Sequence, residues 1–125
     1  MDRNFLLIGA VLNFLGVAAG AFGAHALRSR LSADMLSVFE TGVRYQMYHA
    51  FAMCAAAWAF ARWQRRIFAV GGWLFGAGIL IFSGSLYVLA LTGQRWMGAI
   101  TPLGGLAFLA GWLCLAWGAA RKLPA

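Results

Sequence analysis

Charged residues are scarce in this chain, and acidic ones are the scarcest. Only 10% of its 125 residues are charged, and aspartate and glutamate together number 3. A soluble domain is about 25% charged and about 45–50% apolar, whereas this chain is 63% hydrophobic. A domain of this length buries too small a share of its surface to hide so many apolar side chains. The composition therefore excludes a water-soluble monomer, and the high hydrophobicity excludes a disordered chain.

Cysteine and histidine are also rare, with 2 of each. Cys54 and Cys114 lie singly in apolar stretches, without a CxxC pair, a metal-ligand spacing or a disulfide framework. The paired acids of a glycosidase are excluded by the small number of acidic residues. The sequence also contains no nucleophile elbow, phosphate-binding loop, dinucleotide fingerprint or zinc-protease helix. We therefore predict no metal site, and no motif assigns a cofactor.

Long apolar stretches dominate what remains. About 20 helical residues cross a hydrocarbon core of about 30 Å, and a chain in lipid must be helical to satisfy its backbone. The first stretch exceeds the core of a signal peptide, so we interpret it as an uncleaved helix. The sequence predicts an all-α fold, a bundle of four transmembrane helices forming a single membrane domain over residues 1–125. The predicted spans are residues 5–24, 43–63, 67–92 and 98–120.

The connection between the first two spans differs from the others. Ser32 is a good helix N-cap, and Asp34 follows in the first turn, where the helix dipole favours an acid. The pattern predicts a short amphipathic helix over residues 33–41, lying at the outer membrane interface and leading into the second span at Gly42. In the fourth span, Pro102 is predicted to lie at the helix start, where proline costs no hydrogen bond.

Basic residues outnumber acidic ones, and the net charge is +7. They separate apolar stretches instead of forming one basic surface, so we predict no nucleic-acid binding.

One side of the predicted membrane carries Arg3, Arg62, Arg65, Arg66, Arg121 and Lys122, and the other carries Arg28, Arg30, Arg44 and Arg95. This bias predicts that both termini are cytoplasmic. Tryptophans are predicted at the inner ends (Trp58, Trp63, Trp73, Trp112 and Trp117) and at an outer end (Trp96).

Glycines follow helical spacing, which favours close packing between helices in lipid. In the first span, small or polar residues recur every three or four positions and share one helix face. The interpretations left open are tight packing within the chain and an oligomer interface. The predicted helix-packing residues are Gly9, Asn13, Gly16, Gly20, Gly23, Gly72, Gly76 and Gly104. Asn13 is expected to form an interhelical hydrogen bond.

Polar side chains concentrate at the start of the second span, and polar groups at membrane depth often mark function. In a continuous helix we expect Glu40 to pair with Arg44, and Thr41, Arg44, Tyr48 and His49 to share one face. The alternatives are a structural staple, interfacial tyrosine anchors and hydrogen-bonded packing histidines. The candidate polar site comprises His25, Glu40, Thr41, Arg44, Tyr45, Gln46, Tyr48 and His49.

Four motifs carry a family resemblance. GAFGAH at residues 20–25, FETGVRYQMYH at 39–49, FSGSLY at 82–87 and ITPLGG at 100–105 resemble the YgdD/YwdK family, a domain of unknown function with the number four-two-three. The resemblance covers nearly the whole chain. It implies a small, multi-pass protein of the bacterial inner membrane, with a distant mitochondrial relative in animals. It implies no activity, substrate or cofactor.

Three functional hypotheses follow, and the lipid bilayer is the partner common to all. The first is a non-enzymatic scaffold or accessory component that packs against another membrane protein or against itself. The second is an oligomeric transporter or channel for a proton or small solute, lined by the polar site. The third is binding of a lipid, a quinone or haem in a pocket near the second span. The lack of catalytic spacing and the glycine faces favour the first hypothesis.

Overall fold

The computed structural model describes residues 2–121, and within this range the secondary structure is entirely helical. Lys122, counted above for orientation, lies outside the described residues. Short connections join the long helical segments, so successive long segments run antiparallel. In chain order the α-helices are α1 (Asp2–Ala18), α2 (Ala24–Leu27), α3 (Ala33–Trp63), α4 (Arg66–Gly78), α5 (Gly84–Thr92) and α6 (Thr101–Ala120).

Two π-helical turns connect α-helices into longer rods. Ala19–Gly23 joins α1 to α2, and Ile79–Ser83 joins α4 to α5. A 3-10 turn, Arg95–Ala99, precedes α6, in which Pro102 lies at the helix start as predicted. Three rods are long and apolar enough to cross a membrane, which confirms the helical character of the first, third and fourth predicted spans. These rods are Arg3–Leu27, Arg66–Thr92 and Arg95–Ala120.

Helix α3 contains 31 residues and begins as predicted, because the backbone N–H of Met35 donates to Ser32 Oγ at 3.2 Å. The prediction of a separate short helix over residues 33–41 is wrong, since α3 continues through Gly42 without a break. Gly42 allows close approach of another helix. A Cβ atom there would lie 2.9 Å from the Tyr87 ring. The first half of α3 carries the polar motif, and α3 is not among the helices that are apolar enough by composition to cross a membrane.

The glycine face of the rod Arg3–Leu27 lies against α3. The contacts advance along this rod as they recede along α3, which is the register of an antiparallel pair. Because these glycines lack side chains, the two backbones approach closely. In order, the nearest atoms belong to Ala50 and Cys54 at Gly9, Met47 at Gly16, Val43 at Gly20 and Phe39 at Gly23.

Glycines in the second half of the chain face neighbouring helices too. A Cβ atom at Gly72 would lie 2.9 Å from the Phe5 ring, and one at Gly76 would lie 3.3 Å from Met53 Cε. Gly104 of α6 has equally little room beside Phe82. Each glycine predicted to pack therefore faces another helix of the same chain.

The interior and the outer surface differ in their side chains. Phe5, Phe68 and Phe75 are fully buried, together with Met53 of α3. The outer surface is apolar, with Leu80 77% exposed, and similar exposure is found for Phe14, Phe22 and Leu113. The buried residues nevertheless include Gln46, His49, Ser83 and Ser85. An apolar surface around a partly polar interior suits a lipid environment.

Candidate functional site

The polar residues of α3 are divided between two faces. Gln46 and His49 are buried, with 6% and 5% of their surfaces exposed. Glu40, Arg44 and Tyr48 are exposed and lie four residues apart on the outward face. We call Gln46 and His49 the buried face and the other three residues the exposed face. The structure thus separates the predicted polar site into two groups.

Two expectations about this stretch are wrong. Thr41, Arg44, Tyr48 and His49 do not share an environment, because His49 points into the bundle and Arg44 and Tyr48 point away from it. Glu40 and Arg44, both in the described part of the chain, form no ion pair. Exposed ion pairs of this spacing gain little free energy. Thr41 Oγ1 donates to the carbonyl of Ser37 at 2.9 Å, within its own helix.

Gln46 is the centre of the polar interior. Its Nε2 donates to the Leu12 carbonyl of α1 at 2.7 Å, and its Oε1 accepts a 2.6 Å hydrogen bond from Tyr87 Oη of α5. One side chain therefore links α1, α3 and α5. Both ends of its amide have a protein partner, which removes most of the cost of burying it.

His49 is also bound at both ring nitrogens. The indole N–H of Trp112 donates to His49 Nε2 at 3.1 Å, and His49 Nδ1 lies 2.8 Å from the Tyr45 carbonyl. Because an indole only donates and a carbonyl only accepts, His49 is neutral with its proton on Nδ1. Its ring stacks on Phe108, with centroids 3.5 Å apart and planes at 7°. These contacts join α3 to α6.

Sequence reasoning missed Trp112 and Phe108. It assigned Trp112 to the inner membrane interface, which is wrong, because Trp112 lies near the middle of α6 beside His49. The position of Trp112 within the predicted span could have indicated this, because an interfacial tryptophan lies within the last turns of a span. Phe108, one turn from Trp112, gave no signal that distinguishes it from other apolar residues of the span.

Hydroxyl groups complete the interior. Ser83, at the end of the second π-helical turn, donates to the Gly42 carbonyl at 2.6 Å. Ser85 and Thr101 share a hydrogen bond of 2.5 Å that joins α5 to α6. The π-helical turn is a local widening of the helix. It places Ser83 on the backbone of α3 at the position where Gly42 leaves room.

Two predicted residues do not join this network. His25 is exposed on α2 and makes no contact with His49, although both belong to the described part of the chain. The expected interhelical bond of Asn13 is not formed, because Asn13 Oδ1 is buried without a hydrogen-bond partner. Among the described residues, no group of three or more histidine, cysteine or acidic side chains could hold a metal ion.

Grooves on the surface reach the polar interior at two places. The larger, about 610 Å³, runs between α3 and α6 and is lined by Tyr45, His49 and Trp112 together with apolar residues of α6. The second, about 410 Å³, lies between the two rods that contain the π-helical turns, with Gln46 and Tyr87 in its lining. Both grooves are predominantly apolar, so they suit hydrocarbon better than a hydrated solute.

The apolar rods, the glycine contacts and the hydrogen-bonded interior define a helical membrane protein. Residues 19–105 match the family described as "Protein of unknown function (DUF423)". The chain belongs to this family, as the four sequence motifs predicted. No solved structure matches the chain.

Bacterial relatives support the same assignment over nearly the whole chain. The UPF0382 membrane protein of Staphylococcus saprophyticus is 47% identical, with 93% of this chain and 96% of that protein covered. The UPF0382 membrane protein YwdK of Bacillus subtilis is 41% identical, covering 97% and 99% of the two chains. The UPF0382 inner membrane protein YgdD of Escherichia coli is 41% identical, covering 96% and 92%.

Proposed function

We propose that this chain is a non-enzymatic component of a bacterial inner membrane, a four-span scaffold or accessory subunit that packs against another membrane protein or a second copy. The carrying observation is that the buried polar residues of the described chain, Gln46, His49, Ser83 and Ser85, are hydrogen bonded to the protein. The exception is the Oδ1 atom of the half-buried Asn13, which has no partner. Gln46 uses both ends of its amide, and His49 uses both ring nitrogens. A catalytic acid, base or transport ligand acts within hydrogen-bond distance of its substrate, so Gln46 and His49 would first have to give up their present partners. These groups are engaged in holding helices together.

In this proposal α3 is the remaining span, the second in chain order. Its 31 residues extend about 46 Å at 1.5 Å per residue, longer than the hydrocarbon core of about 30 Å. Its buried positions face the other helices, so its polar motif does not expose Gln46 or His49 to lipid. Residues 33–41 then extend to the outer membrane interface as the first turns of α3. Both termini are cytoplasmic in this proposal, because the end of the bundle that carries them also carries the excess of arginine.

Cysteine labelling tests this topology. The matched background replaces Cys54 and Cys114 by alanine, and single cysteines are then placed at Ser29 and Gln64, which flank α3 and are exposed. A membrane-impermeant maleimide is expected to label S29C in spheroplasts, whereas Q64C is labelled only after lysis. Labelling of both positions from the same side would exclude α3 as a span.

Photo-crosslinking in the native membrane tests the scaffold role. A photoreactive residue replaces Leu7, Leu80 or Leu113 in turn, because these side chains are exposed on three different rods. We expect at least one position to give a discrete adduct with a second copy or another membrane protein. If all three positions give lipid adducts alone, the scaffold proposal fails.

A flux measurement separates this proposal from a proton channel or transporter. Proteoliposomes loaded with a pH-sensitive dye are expected to show the same proton flux as protein-free vesicles. Flux that is present in the wild type and lost in H49A would contradict the proposal and assign the polar interior to transport.

A second candidate is binding of an apolar ligand between α3 and α6. It is favoured by the groove of about 610 Å³, whose lining includes the rings of Tyr45 and Trp112. Haem is a poor occupant, because coordination by His49 Nε2 would displace the hydrogen bond from Trp112. Extraction of the purified protein tests this candidate. An enriched prenylated or acyl species would support it, and an extract with bulk membrane composition would exclude it.

A further inference from the structure

A third groove lies at the end of the bundle where α1 begins and α6 ends. It has a volume of about 300 Å³ and lies between the first turns of α1 and the second half of α3. Leu6, Ala57 and Ala61 form apolar walls, and Arg3 and Trp58 also line it. Its α3 residues recur every three or four positions, so they form one stripe along the helix. The groove is distinct from the polar interior described above.

The groove is closed where the two helices touch. At Gly9 a Cβ atom would lie 2.8 Å from both the Ala50 carbonyl oxygen and Cys54 Sγ. Toward the helix ends, Ala57 and Ala61 are too small to fill the space beside Leu6. The result is an apolar slot of about 300 Å³ with the cation Arg3 in its lining. A single turn of a helix about 10 Å across and 5.4 Å high fills roughly 400 Å³, more than the slot holds, whereas part of one hydrocarbon chain fits.

The cation is available for an anionic ligand. Arg3 is exposed and forms no hydrogen bond or ion pair with any described residue. Arg62 and Arg66 are exposed at the same end of the bundle, and the Arg62 guanidinium lies 6.0 Å from the ring centre of Trp63. Trp63 in turn contacts Trp58 edge to face, with centroids 5.2 Å apart. Paired arginine and tryptophan side chains are typical of the headgroup level of a membrane.

The distribution of acids gives this end its charge. Asp34 and Glu40 lie at the opposite end of α3, and the sequence places one acid, Asp2, near Arg3. The end near Arg3 is therefore positively charged in sum. An occupant that matches both the apolar slot and the positive charge must join a hydrocarbon chain to an anion.

We propose that this groove binds an anionic phospholipid, with one acyl chain in the slot beside Ala57 and Ala61 and the phosphate at Arg3. Trp58 packs along the part of the acyl chain nearest the headgroup. Anionic lipids gain electrostatic free energy beside juxtamembrane arginines. A zwitterionic lipid offers the same chain without the net charge, so headgroup preference is the property that distinguishes the site from general solvation by lipid.

Native mass spectrometry of the full chain tests the proposal. The protein is purified, exchanged into nanodiscs that contain equal amounts of phosphatidylglycerol and phosphatidylcholine, and released gently. We expect wild-type protein to retain phosphatidylglycerol about fivefold more than phosphatidylcholine, the contribution of roughly one juxtamembrane arginine. Equal retention of the two lipids by the wild type would overturn the proposal.

Three variants locate the preference. R3Q is expected to reduce the ratio to about one, while R3K, which keeps the charge, preserves it. The matched control is R30Q, which removes an exposed arginine from the other end of the bundle. The preference is expected to survive in R30Q, and an equal loss in R3Q and R30Q would exclude a local site.

A groove-filling variant tests the acyl chain separately. A61L places a larger apolar side chain at an exposed position of the groove lining and leaves every charge in place, so it should lower retention of both lipids. Unchanged retention by A61L, in protein with the wild-type circular dichroism spectrum, would contradict binding in the groove.

Discussion

The two faces of α3 both carry polar side chains and differ in what those side chains contact. On the buried face, Gln46 and His49 make four hydrogen bonds or close polar contacts with protein atoms. On the exposed face, Glu40 and Arg44 lie one turn apart and do not pair. A polar residue in a membrane helix is therefore not evidence for a site in itself. Its partners decide whether it holds the bundle together or remains available.

The difference has an energetic consequence. A hydrogen bond in a low-dielectric interior is strong, and an unpartnered polar group there is costly. Substitutions on the buried face should therefore destabilise the bundle, whereas substitutions on the exposed face should not. All of the following variants are compared by their free energy of unfolding in mixed micelles titrated with a denaturing detergent.

The largest effect is expected where α3 meets the rod of α4 and α5. Gly42→Leu forces a side chain against the Tyr87 ring, which leaves only 2.9 Å for a Cβ atom. We expect a loss of about 3 kcal/mol, at the upper end of typical overpacking costs. The matched control is Gly84→Leu, since an added Cβ at Gly84 meets no atom within 4 Å. Equal losses in the two variants would contradict close packing at Gly42.

The next largest effect is expected from the centre of the polar interior. Gln46→Met keeps the length of the side chain but removes the bonds to the Leu12 carbonyl and Tyr87 Oη. The expected loss is about 1–2 kcal/mol, because Tyr87 Oη also loses its buried partner. A Gln46→Met protein as stable as the wild type would show that these bonds contribute nothing.

A smaller effect is expected from the contact between α3 and α6. Trp112→Phe removes the N–H group that donates to His49 Nε2 and retains most of the ring. We expect a loss of about 0.5–1 kcal/mol, the usual range for one interhelical hydrogen bond in a membrane protein. Trp117→Phe is the control, because Trp117 is 60% exposed. A larger loss in the control would argue against the role of the Trp112 N–H.

The exposed face should tolerate substitution. Arg44→Gln removes a charge that has no ionic partner among the described residues. The expected change is within about 0.5 kcal/mol, as for other surface substitutions. A loss similar to that of Gln46→Met would erase the distinction between the two faces.

Sequence patterns predicted the helices well and the polar contacts poorly. Ser32 was predicted as an N-cap and Pro102 as a helix start, and both are confirmed, because these signals depend on the backbone within one turn. The prediction of a separate helix over residues 33–41 was wrong, because a glycine such as Gly42 can mark either a break in a helix or a close approach between two helices. The sequence alone does not distinguish these cases, whereas the position of Tyr87 against Gly42 does.

Which residues form the polar interior depends on tertiary structure. Gln46 and His49 were recognised as unusual, but Trp112 was not, because its partner lies 63 positions away in the sequence. The glycine spacing in the first span left open whether this face meets the same chain or another copy. In the structure the face lies against α3. Spacing identifies the face of a helix, and the partner of that face follows from the packing of the whole bundle.

A double-mutant cycle between Gln46→Met and Tyr87→Phe tests the central claim most directly, since Tyr87→Phe removes only the hydroxyl that donates to Gln46 Oε1. If the polar interior holds the helices together, the two losses should not add, with a coupling free energy of about 0.6–1.7 kcal/mol. Additive losses in two well-folded single variants would contradict the claim and return Gln46 and His49 to the candidates for a functional site.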